Sequence, residues 1–192
     1  MKNYFIIHGA FGKPFENWFP WLEKKLSENK ISCTVPHFPT PNYQNFINWK
    51  NLLNYYHKLG LVNKETILVA HSLGSIFVAK YIIKNKIKIR GLISVSGFNN
   101  FFSGDKDFDD INKSFFMENS ELSKFKDYSG FSHCFISDND PFIPLDKLKE
   151  FANIIESELH IIPNGGHFNT ATGYDKFLEV YQIIQDFEGI KD

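Results

Sequence analysis

The protein has 192 residues, 43% apolar side chains and a formal net charge of −1, which predicts one globular domain over residues 1–192. The near-neutral charge and the lack of a basic block argue against nucleic-acid binding. Two cysteines are too few for a disulfide framework or a cysteine-based zinc site. No apolar run reaches the roughly 18 residues that span a bilayer, and the N-terminal run is too short for a signal-peptide core. We therefore expect a cytoplasmic protein without membrane insertion.

Short apolar runs alternate along the chain with longer amphipathic stretches. We predict strands at 4–7, 31–35, 66–70, 91–95, 131–136 and 159–162, and helices at about 17–29, 43–59, 73–84, 108–117, 145–155 and 174–187. Strands that alternate with helices of this length form βαβ units around a parallel sheet. The strands are nearly all apolar, as expected when helices cover both faces. The sheet should be doubly wound, with its ligand site beyond the carboxyl ends of the strands. The polar, phenylalanine-containing segment 97–130 has no single period, and we expect it to form a small cap insertion.

The strongest candidate site is Ser72, which lies in the run Ala70-His71-Ser72-Leu73-Gly74 between the third strand and its helix. This run matches the G-x-S-x-G pattern of a nucleophile elbow, with alanine in place of the first glycine. The positions two before and two after the serine must be small, because strand and helix approach closely there. The helix N-terminus adds positive potential and a free N–H at Leu73. An ordinary helix N-cap serine is the alternative interpretation.

A serine hydroxyl needs a base to become a good nucleophile. Among seven histidines His167 is the best placed, because the glycine-rich loop after the sixth strand can carry its imidazole over the sheet edge. His71 adjoins the serine but is expected to point away from it. The loop after the fifth strand offers two acids to orient the base, Asp138 and Asp140, and either could reach His167 on spacing alone. The alternative is a solvated loop histidine and two turn-forming aspartates.

A second backbone donor is predicted in the loop after the first strand, which reads His8-Gly9-Ala10. Gly9 allows a tight turn there, and this leaves the Ala10 N–H free to point inward beside the Leu73 N–H. The two donors would form an oxyanion hole, each worth roughly 3 kcal/mol. Each of these candidates follows a strand, and the chain order serine, aspartate, histidine is that of α/β-hydrolases.

Six short runs spread over nearly the whole chain carry a resemblance to a known family: Ile6-Ile7-His8-Gly9, Asn17-Trp18-Phe19-Pro20-Trp21-Leu22, Val69-Ala70-His71-Ser72-Leu73-Gly74, Val95-Ser96-Gly97-Phe98, Asp140-Pro141-Phe142-Ile143-Pro144 and Gly165-Gly166-His167-Phe168. On these runs the chain resembles the small serine hydrolases of the YdeN family, relatives of the retinoblastoma-binding serine hydrolase. The resemblance implies Ser72 as nucleophile, Asp140 as the triad acid and His167 as base, with Ala10 and Leu73 at the oxyanion positions. It also implies an α/β-hydrolase fold, with a doubly wound, mostly parallel six-stranded sheet in the order 2-1-3-4-5-6.

These features predict a serine hydrolase that cleaves a small carboxylic ester or a related acyl substrate through an acyl-enzyme. An acyltransferase or thioesterase on the same triad is an alternative, and so is a protein-interaction module that keeps the fold. No metal or organic cofactor is implied, the expected partner is a small-molecule acyl substrate, and the oligomeric state stays open. We expect phenylalanine side chains to line an apolar acyl pocket, although packing in the hydrophobic core would explain each of them equally well. They are Phe11, Phe142 and Phe168 beside the site, and Phe101, Phe102, Phe108, Phe115 and Phe116 in the cap segment.

Overall fold

The structure is a computed structural model that describes residues 2–190. Its sheet consists of β1 (Asn3–Ile7), β2 (Ser32–Thr34), β3 (Thr66–His71), β4 (Gly91–Val95), β5 (Ser132–Ser137) and β6 (Glu158–Ile162). These strands pair in the order β2-β1-β3-β4-β5-β6, and every pairing between them is parallel. The predicted order is therefore confirmed.

Helices cover both faces of this sheet. They are α1 (Phe19–Glu28), α2 (Phe46–Lys58), α3 (Leu73–Asn85), α4 (Lys106–Asn112), α5 (Asn119–Leu122), α6 (Leu145–Ile154) and α7 (Leu178–Glu188). The apolar side chains of α2, α3 and α6 pack in one core cluster, and those of α1 and α7 pack in a second. Alternate residues of a strand point to opposite faces, so β1 sends Phe5 to the first cluster and Tyr4 to the second. Both faces are thus buried, which explains why the strands are apolar throughout.

The position of the functional site follows from the path of the chain across the sheet. The chain leaves β1 for β2 on one side and then returns through α2 to β3 on the other side of β1. The connections after β1 and β3 therefore diverge at the carboxyl edge, and a crevice opens where the winding direction reverses. Ser72 and the 8–10 loop both lie at this crevice.

The helix at 119–122 was not predicted, and the largest departures from predicted helix bounds are at α4 and α7. The helix predicted at 108–117 begins two residues earlier, because the Asp105 carboxylate caps the N–H groups of Asp107 and Phe108, and it gives way to a 3₁₀ turn after Asn112. The last helix was predicted from residue 174 but begins at Leu178. A 3₁₀ turn with its own capping box occupies 170–172 and ends in the left-handed Gly173, so the chain is not yet helical there. No helix among residues 2–190 is both long enough and apolar enough to cross a membrane.

Candidate active site

Ser72 forms the sharp turn between β3 and α3. Its backbone has φ 53° and ψ −125°, a conformation that costs a non-glycine residue about 1–3 kcal/mol and is held here by a hydrogen bond from its N–H to the Val95 carbonyl (2.7 Å). A methyl group added at Gly74 would lie 2.6 Å from the His8 carbonyl oxygen, so a small residue is needed at that position. Ser72 occupies the N-cap position, yet within residues 2–190 its side chain caps no backbone N–H. The N-cap interpretation therefore fails, and the hydroxyl remains available to the crevice.

His167 and Asp140 form a hydrogen-bonded pair beside Ser72. The His167 Nδ1 lies 2.7 Å from Asp140 Oδ2, and the carboxylate is wholly buried. The other oxygen, Oδ1, accepts hydrogen bonds from the N–H groups of Phe142 (2.9 Å) and Ile143 (3.1 Å), and Ser96 Oγ donates to Oδ2 (3.0 Å). Burial acts to raise the pKa of Asp140, but the hydrogen bonds and the nearby imidazole outweigh it and hold the pKa below its ordinary value. The carboxylate is therefore ionised at neutral pH.

The imidazole of His167 shares a cleft with the Ser72 hydroxyl, and each residue keeps 8% of its surface exposed. Because Nδ1 is engaged by Asp140, Nε2 is the ring nitrogen left for other partners. Within residues 2–190 there is no hydrogen bond between Ser72 and His167. Such bonds are commonly long before substrate binds, so this geometry is compatible with proton transfer once a substrate is in place.

The two aspartates of the 138–140 loop have different partners. Asp138 is exposed, and its Oδ1 accepts the N–H of Asn164 at 2.8 Å. Asn139 Oδ1 accepts the N–H of Gly166 at 2.8 Å. These two bonds tie the loop after β5 to the loop after β6, and they leave Asp140 as the acid that contacts His167.

The loop after β1 is held tightly against Ser72. A methyl group added at Gly9 would lie 2.8 Å from Ser72 Cβ, so Gly9 is required for space. The chain turns tightly after Gly9, where the Gly12 N–H donates to the Gly9 carbonyl at 3.2 Å, although the φ of Gly9 is not positive. The buried His8 accepts the Phe38 N–H at Nε2 (3.0 Å), and its Nδ1–H therefore donates to the Gly9 carbonyl (2.8 Å). Burial lowers the pKa of His8 to about 4, which keeps this ring neutral.

The bond from His8 fixes the direction of the next backbone donor. In a trans peptide the C=O of Gly9 and the N–H of Ala10 point in opposite directions, so the Ala10 N–H points away from His8. Among residues 2–190 no group accepts a hydrogen bond from it. The Leu73 N–H, in the first turn of α3, has no partner within the helix either. Within residues 2–190 these two backbone N–H groups thus have no hydrogen-bond partner, and their role as an oxyanion hole stays a prediction.

His71, which was expected to point away from Ser72, contacts the loop that carries His167. The side chain of His71 shares the sheet face of Val69, over which the loop carrying His167 passes. Its Nε2 donates to the His167 carbonyl at 2.8 Å, and the two rings lie 4.9 Å apart. Burial, with a smaller contribution from His167, lowers the pKa of His71 to about 3, so the ring is neutral. Trp18 Nε1 donates to the next carbonyl, that of Phe168, at 3.1 Å. The loop is therefore held by its main chain and not only by the side chain of its histidine.

The cleft above Ser72 has a volume of about 390 Å³. Phe11, Phe108, Phe142 and Ile143 line it, so three of the suggested phenylalanines do face the site. The others do not line it, and Phe168, for example, is buried against Phe177 with a ring separation of 4.9 Å. Within the 97–130 segment Phe108 reaches the cleft, whereas Phe115 packs into the core beneath α3.

The comparison with known protein families gives the family of the chain. The model of a family described as Serine hydrolase matches residues 4–186. The chain belongs to this serine hydrolase family. Two curated relatives match this chain over most of their own length.

One such relative is YdeN of Bacillus subtilis (strain 168), with 26% identity over 97% of this chain and 96% of that protein. The serine hydrolase RBBP9 of Rattus norvegicus is 23% identical over 88% of this chain and 84% of its own. The crystal structure of the B. subtilis ydeN gene product superposes with a TM-score of 0.83, at 25% identity, and covers 98% of this chain and 100% of that one. Est1E from Butyrivibrio proteoclasticus shares the fold, with a TM-score of 0.66, 17% identity and coverage of 96% and 90%. The chain therefore has the α/β-hydrolase fold that was predicted.

Proposed function

We propose that this serine hydrolase cleaves small carboxylic esters through an acyl-enzyme intermediate on Ser72. The observation that carries the proposal is the hydrogen bond between His167 and the buried, ionised Asp140, which leaves Nε2 of His167 to share a cleft with the strained Ser72. A nucleophile, a base and an orienting acid in this relation are the parts that acyl transfer requires.

In the proposed first step Ser72 Oγ attacks the ester carbonyl, and His167 Nε2 takes the hydroxyl proton. The negative charge that develops on the carbonyl oxygen is stabilised by the N–H groups of Ala10 and Leu73. The carbon–oxygen bond to the alcohol then breaks, and His167 returns the proton to the departing alkoxide. Asp140 stays ionised throughout and stabilises the imidazolium that forms between these steps. A water molecule, deprotonated by the same imidazole, then attacks the acyl carbon. The bond from this carbon to Ser72 Oγ breaks, and His167 returns the proton to Oγ, which releases the acid and restores Ser72.

The dimensions of the cleft support a small acyl group. Its volume of about 390 Å³ lies at the lower end of ligand pockets, which span roughly 300–1,000 Å³. The rings of Phe11 and Phe108, 5.7 Å apart, form an apolar wall on one side, and Phe142 lies against His167 on the other. Ferulic acid is bound by Est1E, which shares the fold, and an aromatic acyl group of that size suits such walls.

The test uses a fluorophosphonate probe and a series of p-nitrophenyl esters. We expect the probe to label the wild type and the control variant Ser120→Ala, which changes an exposed serine of α5, but not Ser72→Ala. Ester hydrolysis should fall by about 10⁴-fold or more in Ser72→Ala. Labelling that persists in Ser72→Ala would remove the serine from the mechanism, and a preference for long acyl chains would contradict the assignment of a small substrate.

A further inference from the structure

Two histidines and a glutamate lie together on β5 and β6. His133 Nδ1 is 2.9 Å from His160 Nε2. Glu158 Oε2 is 3.7 Å from the first of these nitrogens, and Glu158 Oε1 is 3.8 Å from the second. One candidate ligand atom from each of the three residues lies within 4.8 Å of the other two. In the sheet register His133 pairs with Glu158, and Phe135 with His160. His133 and Glu158 lie at the amino-terminal ends of their strands and His160 in the middle of β6, whereas Ser72 follows the carboxyl end of β3.

The two imidazoles are held in place by aromatic neighbours. The ring of His160 stacks on Phe135 at 4.5 Å with an interplanar angle of 15°. The ring of His133 is buried and contacts the edges of Phe131 (5.6 Å) and Phe187 (5.7 Å). Two side chains that are already ordered lose little conformational freedom when they bind a ligand.

The spacing of the three ligand atoms suits a tetrahedral metal ion. Bonds of about 2.0–2.1 Å to imidazole nitrogen and carboxylate oxygen place the ligand atoms of such a site roughly 3.3 Å apart. The two nitrogens, 2.9 Å apart, are slightly closer than this value, and each is approached by a different oxygen of Glu158, at 3.7 and 3.8 Å. Binding therefore requires the exposed Glu158 carboxylate to turn so that one oxygen faces both nitrogens, and the two rings to separate slightly. The side chain of Glu158 is 67% exposed, which leaves the fourth coordination position open to water.

We propose that His133, Glu158 and His160 form a binding site for a single zinc ion. Imidazole and carboxylate ligands favour zinc and its first-row neighbours over magnesium or calcium, which take oxygen ligands. The ligating nitrogens would be Nδ1 of His133 and Nε2 of His160, with the Glu158 carboxylate as the third ligand.

Coordination requires a change of tautomer in one ring. The hydrogen bond between His133 Nδ1 and His160 Nε2 needs one of these nitrogens to carry a hydrogen. When both nitrogens bind the metal ion, that hydrogen moves to the far nitrogen of its own ring.

A bound zinc ion would connect the edge strand β6 to β5 and would stabilise the folded chain by mass action. Zinc at about 100 times its dissociation constant should therefore raise the Tm by roughly 5 °C or more. Neither strand contributes its amino-terminal end to the Ser72 cleft, so the site is separate from the proposed ester chemistry.

Isothermal titration of the full chain with zinc chloride tests the proposal, with the Tm measured in parallel. We expect one equivalent to bind the wild type, and the dissociation constant to rise by at least about tenfold in both Glu158→Gln and His160→Gln. Glu158→Gln changes an exposed side chain and tests the site even if His160→Gln folds poorly. The control His57→Gln removes a histidine on α2 and should bind as the wild type does.

Zinc could also bind at the His167 pair, so His167→Gln is titrated as well. Loss of binding in this variant, with full binding in Glu158→Gln, would overturn the proposal. So would the absence of saturable binding to the wild type. Binding that is retained in His167→Gln but weakened in Glu158→Gln supports it.

Discussion

Substitution of Gly9 by alanine tests the close contact between the β1 loop and Ser72. The added methyl carbon would lie 2.8 Å from Ser72 Cβ and 3.2 Å from the His71 carbonyl oxygen. Carbon atoms pack at about 3.5–4.0 Å, so the loop must withdraw by roughly 0.7–1.2 Å. The neighbouring Ala10 N–H would then leave the distance of about 2.7–3.1 Å at which it stabilises an oxyanion. Loss of one such donor lowers kcat by about 10²–10³-fold, or roughly 3–4 kcal/mol.

The assay is steady-state hydrolysis of p-nitrophenyl acetate by the wild type and Gly9→Ala. Because the donor acts on charge that exists only in the transition state, kcat and kcat/KM should fall together while KM changes little. The control is Gly60→Ala, at φ 74° after α2, where an added methyl group meets no atom within 4 Å. Strain at this positive φ should lower stability by about 1–2 kcal/mol without affecting kcat. A Gly9→Ala enzyme with kcat within about threefold of wild type, which is under 0.7 kcal/mol, would refute the reasoning.

Two further substitutions test the carboxylates. Asp140→Asn should lower kcat by about 10⁴-fold by favouring the wrong imidazole tautomer, whereas Asp138→Asn, measured in the same ester assay, should have a far smaller effect. The depressed pKa of Asp140 also stabilises the fold above the ordinary carboxyl pKa of about 3.9, and this contribution is lost as the pH falls through the folded-state value. When the pH is lowered below about 4, the free energy of unfolding should therefore decrease less in Asp140→Asn than in the wild type. Glu188→Gln should lower the free energy of unfolding in urea by about 1–3 kcal/mol. The Glu188 side chain is only 4% exposed and accepts hydrogen bonds from Lys2, Tyr4 and Arg90. The control Glu179→Gln, at an exposed position of the same helix, should change this free energy by less than about 0.5 kcal/mol. Equal losses in the two glutamate variants would contradict the importance assigned to the buried carboxylate.

The strands could be predicted from sequence because buried parallel strands are nearly continuous apolar runs. The fourth strand was predicted at 91–95 and lies at Gly91–Val95, and the other strands differ by at most a residue or two at either end. Helix starts were less predictable, because tertiary contacts and local caps decide them. The apolar pattern of the last helix extends back to Tyr174, but Gly173 and the preceding capping box hold the chain in a turn there.

The candidate site residues could be proposed from their place after each strand, but their contacts could not. Spacing left Asp138 and Asp140 as equals, and hydrogen-bond geometry separates them. The roles of Ser72, Asp140 and His167 in catalysis stay predictions that the assays above test.

Other contacts depend on pairing between distant segments. The contact of His71 with the His167 carbonyl depends on where a loop 96 residues later in the chain comes to lie. His133 showed no special context in the sequence, because its partner His160 is brought to it by the pairing of β5 with β6.

Asp140 and His167 lie on the loops that follow β5 and β6, the two outermost strands on one side of the sheet. Ser72 follows β3, which is at the centre of the sheet. No residue of β6 is fully buried, and the strand has a single neighbour in the described sheet, whereas β3 is buried throughout and paired on both sides. Local opening therefore requires less free energy at β6 than at β3. Such opening would carry His167 away while the Ser72 turn stays intact. We therefore expect ester hydrolysis to be lost on heating before the global unfolding transition. We also expect the backbone amides of β6 to exchange their hydrogens faster than those of β3.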